Sequence, residues 1–103
     1  MDAYVMAKSL KRTIDGIETN HTHTGIKAVR LDMWDNVSIE ICPYVARIET
    51  GPIQAKIFYD SLLAEADGTL ALIEKTGPQA IMPVVTIDCT QIDDITHVMW
   101  EED

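Results

Sequence analysis

The stretch Gln79-Ala-Ile-Met-Pro-Val-Val-Thr-Ile-Asp88 is the densest apolar, β-branched run in this chain of 103 residues. Its Ile81, Val84, Val85 and Ile87 suit a pleated surface that is covered on at least one side, and Gly77-Pro78 marks its entrance. A strand is therefore predicted over 80–88. Pro83 has no N–H to donate to a ladder, which places this strand at a sheet edge or gives it a bulge.

Three further strands surround this run in the prediction. Residues 26–34 alternate apolar and polar side chains, and Asp35-Asn36 makes a tight turn into a second strand, 37–49. The alternation shifts by one at Cys42-Pro43, which indicates a bulge. A closing strand over 95–101 precedes an acidic tail, and a helix beginning at Thr90 is the alternative.

The first quarter of the chain supports two interpretations. Asp15-Gly16 between alternating runs is typical of a β-hairpin, with strands over 9–14 and 17–24. A short helix over residues 2–14 competes with it, because Met6, Leu10 and Ile14 recur every four residues and Asp2 can cap the helix. We adopt the hairpin as the prediction and keep the helix as the alternative.

Residues 52–76 are predicted to form a helix, since apolar residues recur there at three- and four-residue steps after Pro52. Asp67-Gly68 offers a different reading, in which 53–66 and 69–76 are strands joined by a hairpin turn. The predicted fold class is thus α+β, an antiparallel sheet packed against one helical segment. An all-β meander or barrel is the alternative.

Length and composition predict a single domain over residues 1–103. The sequence is 47% hydrophobic and 24% charged, which is ordinary for a globular protein. No apolar run reaches the ~18 residues of a membrane span, and the first five residues lack the order of a signal peptide, so a cytoplasmic location is expected. Cys42 and Cys89 are far apart without Cys-x-x-Cys spacing, and we expect both to be reduced.

The formal net charge of −9 is unevenly distributed. Residues 1–30 hold five Lys or Arg against three acids, whereas the last sixteen residues hold six acids and neither Lys nor Arg. Such a field repels nucleic acid and anionic membrane and attracts a basic protein. We therefore predict a small protein-binding or inhibitory module, of the immunity, antitoxin or anti-defence type, that engages a basic partner through Asp93, Asp94, Trp100, Glu101 and Glu102.

Tryptophan placement bears on this prediction. Trp34 and Trp100 both end apolar strands, and the simplest interpretation buries them as plugs at the two ends of the core. An exposed Trp100 beside the terminal acids would instead resemble the aromatic anchor of a protein interface.

His21 and His23 carry the competing hypothesis, a small metal-dependent enzyme. On a strand, residues at i and i+2 project from the same face and can share a divalent metal such as zinc. No cofactor is otherwise indicated, and the absence of a Gly-x-Ser-x-Gly elbow, a His-Glu-x-x-His helix and phosphate-binding glycine loops favours a non-enzymatic role. A homo-oligomer that binds a small ligand is a third interpretation.

Overall fold

The computed structural model describes residues 2–50, 53–74 and 83–100, with side chains for 2–17, 25–49, 54–73 and 85–100. One helix packs on an antiparallel seven-stranded open sheet, which confirms the α+β class. The elements are α1 (Ala3–Thr24), β1 (Ile26–Met33), β2 (Val37–Cys42), β3 (Val45–Thr50), β4 (Ile53–Ala64), β5 (Thr69–Glu74), β6 (Pro83–Asp88) and β7 (Ile92–Met99), with a 3-10 turn at Cys89–Gln91.

Helix α1 begins at a polar cap and ends at a glycine. The backbone N–H of Tyr4 donates to the Asp2 carboxylate at 2.9 Å, which satisfies one of the free donors of the first turn. Gly25 follows the helix with φ +68°, the left-handed conformation that commonly ends helices. The side chains of Ala7, Leu10, Ile14 and Ile17 form one buried stripe on the sheet.

The predicted hairpin over 9–14 and 17–24 is wrong, and the alternative helix is correct although longer than 2–14. Asp15-Gly16 lies inside α1, where Lys11 forms an i,i+4 ion pair with Asp15 at 2.7 Å. The apolar stripe gains more from packing on the sheet than the Asp-Gly turn preference offers, so tertiary burial overrides the local signal.

The predicted helix over 52–76 is also wrong, because β4 and β5 form the hairpin of the alternative reading. Its turn contains Asp67 and Gly68, as the hairpin reading placed it. A register shift between Tyr59 and Ser61 explains the misleading pattern. The buried residues Tyr59 and Leu62 are three apart across this irregularity, a spacing that imitates a helix.

The pair β1 and β2 has the predicted turn at Asp35-Asn36, where Asn36 takes φ +67°. The predicted strand 37–49 is two strands. Pro43 and Tyr44 make a tight turn between β2 and β3, and Cys42 pairs with Val45. This turn, with Tyr44 at φ +68°, accounts for the shifted alternation that we attributed to a bulge.

The strand order is β6-β5-β4-β3-β2-β1-β7, so β6 and β7 are the edges of the sheet. Of the strand predicted over 80–88, residues 83–88 form β6, an edge strand with a register shift opposite Pro83, and residues 80–82 lie outside the described part of the chain. A flat sheet of this width would separate its edges by about 29 Å. Because a three-residue 3-10 turn joins β6 to β7, the sheet must curl around α1.

The core lies between α1 and the sheet face that it covers, here called the inner face. The largest fully buried side chains are Ile14, Val29, Leu31, Ile41, Leu70, Leu72 and Ile87. Among the described residues no polar or charged residue is buried. The opposite, outer face of the sheet therefore carries the charged side chains of β1 to β4.

Candidate functional site

The edge strand β7 is exposed along most of its length. It pairs with β1 in antiparallel register, and within the described part of the chain it has no strand on its other side. Six of its eight residues are exposed, on both faces of the sheet. Helix α1 packs mainly on β1, β4 and β5, so it leaves the inner face of β7 open.

The inner face of β7 carries apolar side chains that the described residues cover only in part. Ile95 lies opposite the buried Leu31, and residues directly opposite share a face of the sheet. Ile95 is nevertheless 36% exposed and Met99 is 54% exposed. His97 lies opposite buried Val29 and is exposed. This edge thus combines apolar contact area with unpaired backbone groups.

Two acids sit at the first half of β7. Asp93 and Asp94 are both exposed, and neither forms an ion pair within the described residues. Asp94 lies directly opposite Asp32 of β1, a like-charge pair that a sheet tolerates at a cost. Hydrogen bonds from Ser38 and then Arg30 lower the pKa of Asp32, so this carboxylate is ionised at neutral pH. The start of β7 is therefore a site of concentrated negative charge.

Both tryptophans lie at the ends of β7, and the prediction that they plug the core is wrong. Trp34 is 65% exposed, and its backbone N–H donates to the Gln91 carbonyl at 3.0 Å, just before β7 begins. Trp100 is 52% exposed, and its backbone N–H donates to the Gly25 carbonyl at 2.9 Å, just after β7 ends. Eight residues of strand, roughly 26 Å, separate the two exposed rings.

The predicted binding residues are thereby partly brought together. Asp93, Asp94 and Trp100 lie on or directly after β7, which begins at Ile92 and not at residue 95 as expected. Glu101 and Glu102 lie outside the described residues. Trp34 was not predicted as part of this set, because its proximity to β7 depends on the pairing of β7 with β1.

The predicted metal ligands His21 and His23 have a helical backbone within α1. The metal-site prediction assumed that both residues lie on a strand, where residues two apart share a face. Residues two apart on a helix do not face each other. Their side chains lie outside the described residues. In the part of the chain whose side chains are described, no group of three or more His, Cys, Asp or Glu residues is arranged to hold a metal ion.

The outer face of the sheet holds a second feature that sequence reasoning missed. A shallow concavity of about 320 Å³ is lined by Lys27, Glu40, Cys42, Val45, Arg47 and Lys56. Reading 52–76 as a helix separated Lys56 from Arg47, whereas the pairing of β3 with β4 sets them side by side. The available signal in the sequence was the strand-like alternation of the polar Gln54 and Lys56 with the apolar Ala55 and Ile57.

The two cysteines are free thiols, as expected from their spacing. Cys42 is half-buried in the concavity, and its Sγ lies 3.9 Å from a carboxylate oxygen of Glu40 as a weak hydrogen-bond donor. Burial and the Glu40 charge raise the pKa of the Cys42 thiol. Burial raises the pKa of the Cys89 thiol to about 11. Both thiols are therefore protonated at neutral pH and unsuited to act as nucleophiles.

Within the described residues, no helix is both long and apolar enough to cross a membrane. No family model matches the sequence, and comparison with curated proteins and with solved structures also finds no match.

Proposed function

We propose that the chain is a protein-binding module that inhibits or neutralises a basic partner by pairing with it along β7. The observation that carries this proposal is an eight-residue edge strand, exposed on both faces, with acids at its start and exposed tryptophans at both ends. An immunity, antitoxin or anti-defence protein is the kind of inhibitor that such a surface suits. The partner is a basic protein with a strand or extended segment to offer.

Strand addition suits β7 because its backbone groups on one side have no partner among the described residues. An extended segment that pairs there gains main-chain hydrogen bonds, and its alternate side chains meet the two faces of β7. The other edge is less suitable, because Pro83 removes a donor at the start of β6 and the ladder is irregular there. The two edges of the sheet therefore differ in their capacity to bind a strand.

Charge favours a basic segment over a second copy of this chain. Asp93 and Asp94 are unneutralised by contact ion pairs in the described structure, and no Lys or Arg follows Lys75. Two copies with a net charge of −9 each repel one another, whereas a Lys- or Arg-rich segment is attracted and oriented. This attraction acts within about 8 Å at physiological ionic strength.

The tryptophans supply the apolar contacts of the proposed interface. Trp is enriched among the residues that dominate binding energy, and exposed rings of this size are available at each end of β7. A partner strand that runs the length of β7 would contact Trp34 at one end and Trp100 at the other. Truncation of either ring to alanine is expected to raise the dissociation rate more than it lowers the association rate.

The first experiment is native mass spectrometry of the untagged protein isolated gently from its own host. A bound basic protein of defined mass is the expected result and supplies the partner for kinetics. The second experiment measures its association with the double variant Asp93→Lys, Asp94→Lys. We expect association to slow by about tenfold or more and to lose most of its salt dependence.

The matched control is Asp60→Lys, Glu65→Lys, which changes net charge equally at exposed positions of β4 and the following turn. It should slow association less than the β7 variant does, because Asp60 and Glu65 lie on β4 and its turn and not on β7 itself. Equal effects of the two double variants would contradict a β7 interface. A bare monomer or a homo-oligomer in native mass spectrometry would contradict a basic partner altogether.

A further inference from the structure

A second binding site is suggested by the charges on the outer face of the sheet. The register places Arg47 of β3 directly between Glu40 of β2 and Lys56 of β4. Lys27 of β1 lines the same concavity of about 320 Å³. Three cations and one carboxylate thus surround this space, a local charge of plus two in a chain whose net charge is −9.

The pair Arg47 and Lys56 is unfavourable for the sheet by itself. Like charges directly opposite each other on neighbouring strands destabilise the pairing. One carboxylate, Glu40, adjoins this pair, and it also lies opposite Arg30 on β1. Functional or strained sites are where arrangements that work against local stability are expected, and a bound anion would offset this like-charge pair.

The cations of the concavity are not neutralised by contact ion pairs within the described structure. The ion pairs found in the described structure are Lys11 with Asp15 and Arg30 with Asp32, and neither involves Lys27, Arg47 or Lys56. The Lys27 ammonium lies 5.7 Å from the centre of the Trp100 ring, and that of Lys56 lies 5.4 Å from the centre of the Phe58 ring. These contacts orient the lysines and leave their charge available to an anion.

We infer that this concavity binds a small phosphomonoester, with the phosphate held by Arg47, Lys56 and Lys27 and an apolar part resting on Val45. A phosphomonoester carries a charge of about −1.5 to −2 at pH 7, which matches the local charge of plus two. Arg and Lys are the side chains that bind phosphate most often. The volume falls at the lower end of small-molecule sites.

A nucleic acid is a poor fit for the same charges. A long polyanion extends beyond the concavity and meets the acids of the rest of the chain, of which there are fourteen after residue 30. A compact anion feels mainly the groups within about one Debye length, ~8 Å, and these are net positive. The electrostatics therefore select a small ligand.

Glu40 lies beside the cations that are proposed to hold the phosphate, and its negative charge opposes phosphate binding. Its carboxylate lies opposite Arg47 and accepts the weak hydrogen bond from Cys42. A bound phosphate is repelled by Glu40 and attracted by its neighbours. Removing the Glu40 charge should therefore tighten binding, while removing the Arg47 or Lys56 charge should weaken it.

The test uses the full chain and phenyl phosphate, with inorganic phosphate as a second probe, at constant ionic strength set with NaCl. Binding is followed by backbone amide chemical shifts. We expect saturable shifts confined to Lys27 of β1 and to β2, β3 and β4 when ligand is bound. Arg47→Gln and Lys56→Gln should each weaken binding about threefold or more, and Glu40→Gln should tighten it about threefold.

The matched control is Arg12→Gln, which removes an exposed cation from α1 and should leave binding unchanged. Urea denaturation checks that each variant is folded, and loss of the Arg47 or Lys56 charge should not lower stability, because it relieves the like-charge pair. Equal binding by all four variants, or shifts that do not saturate, would overturn the site. Tighter binding of succinate than of phenyl phosphate would overturn the assignment to a phosphomonoester.

Discussion

Replacing Gly68 by alanine tests the packing of α1 on the β4–β5 turn. Gly68 is buried with φ +92°, and a Cβ added there would overlap the Cβ of Ala3. The same added atom would lie 3.2 Å from the carbonyl carbon and 3.3 Å from the Cα of Ala3. An alanine side chain has no rotatable bond that relieves such contacts, so the start of α1 or the turn must move.

The expected loss of stability has two components. A left-handed backbone costs an L-residue roughly 1–2 kcal/mol, and overpacking in a closed site costs roughly 1–3 kcal/mol. Alanine restricts the unfolded chain and so recovers about 0.4–1 kcal/mol. We therefore expect Gly68→Ala to lower the free energy of unfolding by about 2–4 kcal/mol, a large part of the ~5–15 kcal/mol typical of a domain.

Urea denaturation followed by far-ultraviolet circular dichroism measures this loss. The matched control is Gly16→Ala within α1, where an added Cβ has no atom within 4 Å. It should stabilise the protein by about 0.5–1 kcal/mol, so the same substitution has opposite signs at the two glycines. A double-mutant cycle with Ala3→Gly isolates the overlap and should return a coupling of about 1–3 kcal/mol.

Two results would refute this reasoning. A loss below about 0.5 kcal/mol for Gly68→Ala would mean that the turn does not hold the conformation described. A coupling near zero with Ala3→Gly would mean that the first turn of α1 does not sit against the turn after β4. The Gly68 carbonyl also accepts the Cys89 N–H at 3.2 Å, so the same packing positions the turn that leads into β7.

Three further predictions concern single groups. Since burial raises the pKa of Cys89 to about 11, its stabilising contribution is complete below about pH 9 and falls by about 1.4 kcal/mol per unit as pH rises toward 11; urea unfolding at pH 8 and 10 should show this loss in the wild type and a smaller loss in Cys89→Ala, where Cys42 still has a raised pKa. Tyr59→Phe removes a 2.7 Å hydrogen bond from the Tyr59 hydroxyl to the Cys42 carbonyl and should cost about 0.5–1.5 kcal/mol in urea unfolding. Asp2→Ala removes the cap of α1 and should cost about 0.5–2 kcal/mol in thermal and urea unfolding, whereas a negligible change would show that the first turn is frayed.

The sequence predicted which residue types form the candidate binding edge, but it did not predict how the strands arrange them. The concentration of acids toward the C-terminus is a property of composition, and Asp93, Asp94 and Trp100 followed from it. Trp34 joins them only because Met33 at the end of β1 pairs with Ile92 at the start of β7, which no local pattern indicates. The cations of the outer face were missed because a β-bulge in β4 made a strand resemble a helix.

The sequence by itself determined the features that depend on neighbouring residues. These are the alternation of β1, the turn at Asp35-Asn36, the edge or bulge implied by Pro83 and the uneven charge. Only the tertiary structure decided which strands are neighbours, and with that which charges face each other and which edge is free. The physical reason is that strand pairing is satisfied by hydrogen bonds between distant segments, such as β1 and β7, whereas local propensity acts over a few residues.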